Sequence, residues 1–350
     1  MKAVVMSKAP PLYFAVPVWG DSYVETYLNV CLPAQLSSGN IQSLSTDSRN
    51  EYHIYTAEAD AKRIEDSVAY RALCDLISVS IHVIDVGGST ASGGEKYAIK
   101  SESYRDALNG AISAGAAVVA LNADIVMADG FVRTIVGLLA RGIRVIEIPG
   151  PRALKQEVVD ILLKDFKSSD NGILTVSPNE LSRIWFGNRH PQLLMHCVEG
   201  IKGDEFHPSH LYWIVEGSGV IIRGFHLYPI VVYPKNKDFE FAGTIDDDLV
   251  ASLNLGDHER FLAQDSRELF CCELSVPEHF VGRMADRGDI NRYVEYYRSY
   301  AAANMANLQK EIIISADRPT SFTWLKQRWK SRRFAARLAR LYERAAETVR

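Results

Sequence analysis

The sequence predicts an α/β protein: a mostly parallel sheet flanked by helices, followed by a C-terminal helical extension. Three observations carry this. Short apolar runs rich in strand-forming residues alternate with amphipathic stretches from Leu12 to about Pro149. The stretches between those runs are long enough for crossover helices, the connection that parallel neighbours require. Beyond about Asp286 strand-like runs give way to two long helical stretches.

Leu12–Val18 is apolar throughout and reads as a buried strand. Asp21 is placed to cap the next helix, whose apolar face takes Val24, Tyr27, Leu28 and Cys31, and the segment from Pro33 to Gly39 ends it. Tyr52–Thr56 is the second strand, followed by a helix from about Glu58 to Leu76. Ser78–Val86 alternates as a third strand and runs into the loop Gly87–Gly94. Lys96–Ala114 reads as helix, Ala117–Leu121 as the fourth strand, Gly130–Arg141 as helix and Ile143–Ile148 as the fifth strand.

After Pro151 the predicted elements are helices at Leu154–Phe166 and Asn179–Trp185, then a hairpin at Leu211–Arg223 turning at Glu216–Gly219. Phe225–Tyr233 is a further strand, and Ile290–Lys310 and Phe322–Val349 are helices. The expected organisation is one domain over 1–275, with halves at about 12–150 and 151–275, and a helical region over 286–350.

A hydrophobic fraction of 47% excludes a disordered chain, and a net charge of −4 argues against nucleic acid as the main partner. Five cysteines without a Cys-x-x-Cys pair fit thiols in a reducing compartment. The N-terminal apolar stretch is too short before Pro10-Pro11 for a secretory signal, and no apolar run approaches the ~20 residues of a membrane span. The expected location is cytoplasmic.

One segment breaks the charge balance. Residues 326–350 carry nine Lys/Arg against two Glu, a net of +7 that leaves −11 for the rest. Arg333, Arg337, Arg340 and Arg344 form one helical stripe, and Phe334, Leu338, Leu341 and Ala345 another. Two readings stand: a solvated helix held to the domain by its apolar stripe, or an amphipathic helix on anionic lipid at the inner membrane face.

In an open α/β sheet ligands bind outside the carboxyl ends of the strands. Those ends hold Pro17-Val18-Trp19-Gly20-Asp21, Thr56-Ala57-Glu58, Asp85-Val86-Gly87-Gly88 and Asn122-Ala123-Asp124. Gly88 and Gly93 have phosphate-loop spacing, but Gly94 stands where the phosphate-binding Lys belongs, so the segment reads as a surface loop or a lid. A carboxylate at a strand end, backed by an amide, can hold a divalent cation whose shell phosphate oxygens complete; Asp124 with Asn122 has that form. Arg105 lies on the helix leading back to this strand and suits either a phosphate or ribose contact or a surface ion pair. His190, His196, His207 and His210 lack zinc-site spacing and read as loop and surface residues.

Trp19-Gly20 after the first strand, the helix bearing Tyr104-Arg105, and AVVALNADIVMADG together resemble the GT-A nucleotide-sugar glycosyltransferases over about residues 12–250. The resemblance implies a GT-A-like, Rossmann-like sheet, with the nucleotide-sugar bound by the half at 12–150 and the acceptor by the half at 151–275. Members of that fold carry Asp-x-Asp after the fourth strand, holding Mn²⁺ or Mg²⁺ and the donor diphosphate; here the first acid is replaced by Asn122. On this resemblance Trp19, Gly20 and Glu58 frame the nucleoside, and Arg105 steadies ribose or diphosphate beside Asn122. Asp124 holds the cation. His226 resembles the late metal-binding histidine of some members; the alternative is a core histidine. Asp246, Asp247 and Asp248 are candidates for the base or the acceptor contact, or for a solvated acidic loop.

The implied acceptor is a hydroxyl on a glycan or lipid-linked molecule, as in surface polysaccharide or glycoconjugate synthesis. Two other classes share the strand-edge arrangement: a sugar nucleotidyltransferase, which consumes nucleoside triphosphate, and a non-catalytic scaffold that retains the fold.

Overall fold

The computed structural model describes residues 8–44, 49–87, 93–199, 210–224, 227–236, 239, 244–279, 290–300 and 302–347. Its strands are β1 (Leu12–Pro17), β2 (Glu51–Thr56), β3 (Ser78–Val83), β4 (Ala117–Ala120), β5 (Ile125–Met127), β6 (Val145–Ile148), β7 (Arg152–Leu154), β8 (His210–Val215), β9 (Gly219–Gly224), β10 (Tyr228–Val232), β11 (Arg260–Leu262), β12 (Cys271–Ser275) and β13 (Ile312–Ile314). A seven-stranded sheet runs β11-β6-β10-β4-β1-β2-β3. Its pairs are parallel except at β10, which lies antiparallel between β4 and β6.

Side chains of β1 alternate between two cores, as strand geometry requires. Leu12, Phe14 and Val16 enter the larger cluster with Tyr52 and Ile54. Tyr13 and Ala15 enter the second with Tyr104, Leu108 and Val118. Every β1 residue is therefore buried, which accounts for the unbroken apolar run. The chain moves outward from β1 to β3, then returns through the helix Gly93–Ala114 to place β4 on the other side of β1. The order therefore switches between β1 and β4, the point at which such sheets open a ligand crevice.

Several predicted elements change in detail. The first helix ends at Gln35, inside the expected Pro33–Gly39 segment, but it is not uniform: a π-helical turn at Tyr27–Cys31 precedes a short α-helix at Leu32–Gln35. Pro33 has no N–H to give the Asn29 carbonyl four residues back, and the Lys167 ammonium supplies that contact at 3.1 Å. Asp21 is the first helical residue rather than the cap, a position held by Gly20 with φ 83°. The expected helix Glu58–Leu76 is two helices, Glu58–Glu65 and Val68–Cys74, because the Ser67 hydroxyl accepts the Tyr70 N–H and starts a second one. The three-residue strands β5 and β7 are additions; with β12 they form a small sheet in the order β5-β12-β7.

The hairpin β8–β9 appears as expected, and β13 extends it to three strands. Leu211, Trp213 and Ile221 of this hairpin share a core with Tyr297, Trp324, Ala335 and Leu338 of the C-terminal helices Ile290–Tyr300 and Phe322–Glu347. The expected helix Ile290–Lys310 ends at Tyr300 and continues as a 3₁₀ segment over Ala302–Gln309. Among the described residues no helix is long and apolar enough to cross a membrane.

Candidate functional site

β4 ends at Ala120, and Leu121 still bonds to β1 through its N–H to the Ala15 carbonyl at 2.9 Å. Asn122 then turns into a cavity of about 340 Å³ whose lining includes Arg152, His196, His210, Tyr228, Asp246 and Glu273. Ile148, Pro149 and Gly150 at the end of β6 also line it, so the cavity sits at the carboxyl edge of the parallel strands.

Two tyrosines hold Asn122. The Tyr104 hydroxyl lies 2.9 Å from the Leu121 carbonyl and 3.1 Å from Asn122 Oδ1. The Tyr228 hydroxyl lies 3.0 Å from the Tyr104 hydroxyl and 3.3 Å from Asn122 Oδ1. Burial raises both phenols well above their ordinary range, so both stay protonated and available as donors. The Lys100 ammonium lies 5.9 Å from the Tyr104 ring centre and 6.0 Å from that of Tyr228.

Asp124 is half-buried beside this group. Burial first, and then the charge of Glu273, pushes its carboxyl up to about 7, against the lowering pull of Lys100 and Arg152. Glu273 comes from β12, where its carboxylate pairs with Arg152 Nε at 2.9 Å. Arg152 in turn donates Nη1–H to Gln192 Oε1 at 2.8 Å, so its guanidinium is fixed from two sides. Tyr23, on the helix that follows β1, lies within electrostatic reach of the pair: burial, followed by the charges of Asp124 and Glu273, raises its hydroxyl to about 12. Tyr23 and Tyr97 are both well exposed for aromatic residues, at 43% and 55%.

Of the residues expected to form a site, Asn122 and Asp246 line the cavity, and Asp124 lies beside it, within electrostatic reach of Glu273 and Arg152. Trp19, Gly20 and Glu58 sit at the ends of β1 and β2, where the Gly20 N–H donates to Asp60 Oδ2 at 2.7 Å, and none of them lines the cavity. Arg105 is half-buried on its helix and does not line it either. His226 and the side chains of Asp247 and Asp248 lie outside the described residues. Among the described residues no three His, Cys, Asp or Glu side chains gather as a metal site.

Five contributors were not singled out from the sequence: Glu273, Arg152, Lys100, Tyr23 and Tyr228. Two histidines expected on the surface also belong here. His196 and His210 line the cavity with ring centres 5.8 Å apart, and His196 stacks on Tyr212. His190 is buried and structural, with Nε2 2.9 Å from the Val276 carbonyl and Nδ1 accepting the Gln192 N–H. His207 lies outside the described residues.

No protein-family model matches the chain, and no curated protein matches it.

Proposed function

We propose that the chain is a glycosyltransferase that moves a sugar from a nucleotide-sugar donor to a hydroxyl on a glycan or lipid-linked acceptor. The observation that carries this reading is the grouping of Tyr23, Lys100, Asp124, Arg152 and Glu273 where the strand order switches between β1 and β4. A donor diphosphate is a compact polyanion; Arg152 is a cation fixed at the cavity, and Lys100 is a second cation close to Asp124. Trp19, Gly20 and Glu58 at the neighbouring strand ends are available to the nucleoside.

Asp124 and Glu273 supply hard oxygen ligands that suit Mn²⁺ or Mg²⁺, and the raised Asp124 carboxyl marks a carboxylate pair that a divalent cation would relieve. Asp124 and Glu273 would hold such an ion, with phosphate oxygens completing its shell. Bound there, it would neutralise charge on the departing nucleoside diphosphate. The protein's own groups do the remainder. Arg152, fixed by Glu273 and Gln192, and Lys100 orient the diphosphate. Tyr104 and Tyr228 hold Asn122 at the sugar end. Asp246, in the same cavity, accepts the acceptor hydroxyl proton at its carboxylate.

The test is thermal stability against a panel of nucleoside diphosphates with and without Mn²⁺. A ligand at 100 times its Kd stabilises the fold by about 2.7 kcal/mol. The expected result is a Mn²⁺-dependent shift with one nucleotide that disappears in Asp124→Ala, with turnover of the matching nucleotide-sugar. No shift with any nucleotide overturns the reading in favour of a scaffold. Consumption of nucleoside triphosphate with sugar phosphate moves it to a nucleotidyltransferase.

A further inference from the structure

The helix Phe322–Glu347 has two opposed faces of different character. Its inner face carries Trp324, Ser331, Ala335 and Leu338, all buried, with Phe334, Leu341, Tyr342 and Ala345 packed against the same core. The apolar stripe visible in the sequence is therefore spent on the protein and is not available to lipid. The outer face is a separate surface. Phe322, Leu325 and Trp329, spaced i, i+3 and i+7, are 80%, 57% and 58% exposed, although large apolar side chains are otherwise covered along this helix.

The outer face continues as cations. Lys326, Arg333, Arg337 and Arg340 are exposed on it, and the Arg333 guanidinium lies 5.1 Å from the Trp329 ring centre. The acids near the helix pair with its flanks instead: Glu311 with Arg328 and Arg332, and Glu199 with Lys330. Among the described residues no acid pairs with Lys326, Arg333, Arg337 or Arg340.

We infer that this outer face is a docking surface for an anionic lipid bilayer, with Phe322, Leu325 and Trp329 entering the interface and the arginines meeting the headgroups. Charge complementarity favours it, since residues 326–350 carry +7 while the rest of the chain carries −11. Such segregation turns one side of the molecule toward an anionic surface and the other side away. The aromatic turns separate a bilayer from nucleic acid: a nucleic acid offers phosphates but no apolar phase for Phe322 and Leu325, whereas the bilayer interface offers both. The inference stands apart from the proposed transferase activity.

Co-sedimentation of the full chain with vesicles of phosphatidylcholine alone, and with about one-third phosphatidylglycerol, tests it. Binding is expected on the anionic vesicles only, weakening as salt rises. The double variants Phe322→Ser/Trp329→Ser and Arg333→Gln/Arg337→Gln should each lower partitioning, the second by about fivefold per arginine. Their melting transitions should match the parent, because all four side chains are exposed. Absent binding, equal binding to both vesicle types, or unchanged binding of the folded variants overturns the proposal. Retention on polyglutamate without vesicle binding would assign the face to an acidic protein and overturn it equally.

Discussion

Glu273 sits beside Asp124 across the β5–β12 ladder: it pairs in register with Ile125, and the next residue, Leu274, donates its N–H to the Asp124 carbonyl at 2.9 Å. Residues far apart in the chain thus place two carboxylates at the end of β4, with Lys100 and Arg152 as the opposing charges. This relationship makes the strand end a charged crevice rather than a polar loop.

The pair has a cost in stability that pH exposes. The Asp124 carboxyl is held at about 7 in the folded protein against 3.8 for an ordinary aspartate. Below pH 3.8 both states are protonated and nothing is lost. Between 3.8 and 7 the unfolded chain ionises first, so stability falls as pH rises, and above 7 the loss is complete. Asp124→Asn should therefore melt on the order of 2–4 °C higher than the parent at pH 8, equivalent to about 2 kcal/mol, and at the same temperature as the parent at pH 4. A variant that melts lower at pH 8 refutes the assignment.

Asn122→Asp adds a second carboxylate to the triplet while keeping the Tyr104 and Tyr228 hydroxyls as donors. On the proposed reading, calorimetric titration of Mn²⁺ should show about tenfold tighter binding, roughly 1.4 kcal/mol. Unchanged affinity would place any metal away from this strand end.

Arg223 is buried in β9 and donates Nη1–H to the Leu308 and Gln309 carbonyls at 3.0 Å, while Glu311 lies 3.4 Å from Nη2. Glu311 also takes Arg328 at 2.7 Å, so one carboxylate ties the hairpin to the C-terminal helix. Glu311→Gln should cost about 3–5 kcal/mol in urea unfolding, because it leaves a buried guanidinium without its counter-charge. A loss below 1 kcal/mol would show that the carbonyls alone suffice.

Two glycines in contact should resist substitution for different reasons. A Cβ on Gly39 would lie 2.4 Å from the Gly130 nitrogen and 2.6 Å from its Cα, where backbone has to move. A Cβ on Gly130 meets nothing within 4 Å, and only its φ of 85° resists substitution. Gly39→Ala should cost about 1–3 kcal/mol or more, and Gly130→Ala about 1–2 kcal/mol. Denaturant midpoints of the two variants give the comparison.

The α/β class, the strands β1, β2, β3, β4 and β6, the hairpin and the two stripes of the last helix are legible in the sequence alone. Each of these follows from a local period of 2 or 3.6 residues, which survives in the chain whatever the tertiary context. It also marked Asn122 and Asp124, since a strand that ends in polar residues is a local signal. Tertiary structure alone decided that β10 inserts antiparallel between β4 and β6, bringing Tyr228 onto Asn122. It alone paired β12 with β5 and β7, which delivers Glu273 and Arg152 to the crevice. Strand register is a long-range choice among many segments, and three-residue strands carry too few positions to show a period. The last helix shows the same division: its stripes are local, but which stripe is buried depended on where the hairpin packed, leaving Phe322, Leu325 and Trp329 outside.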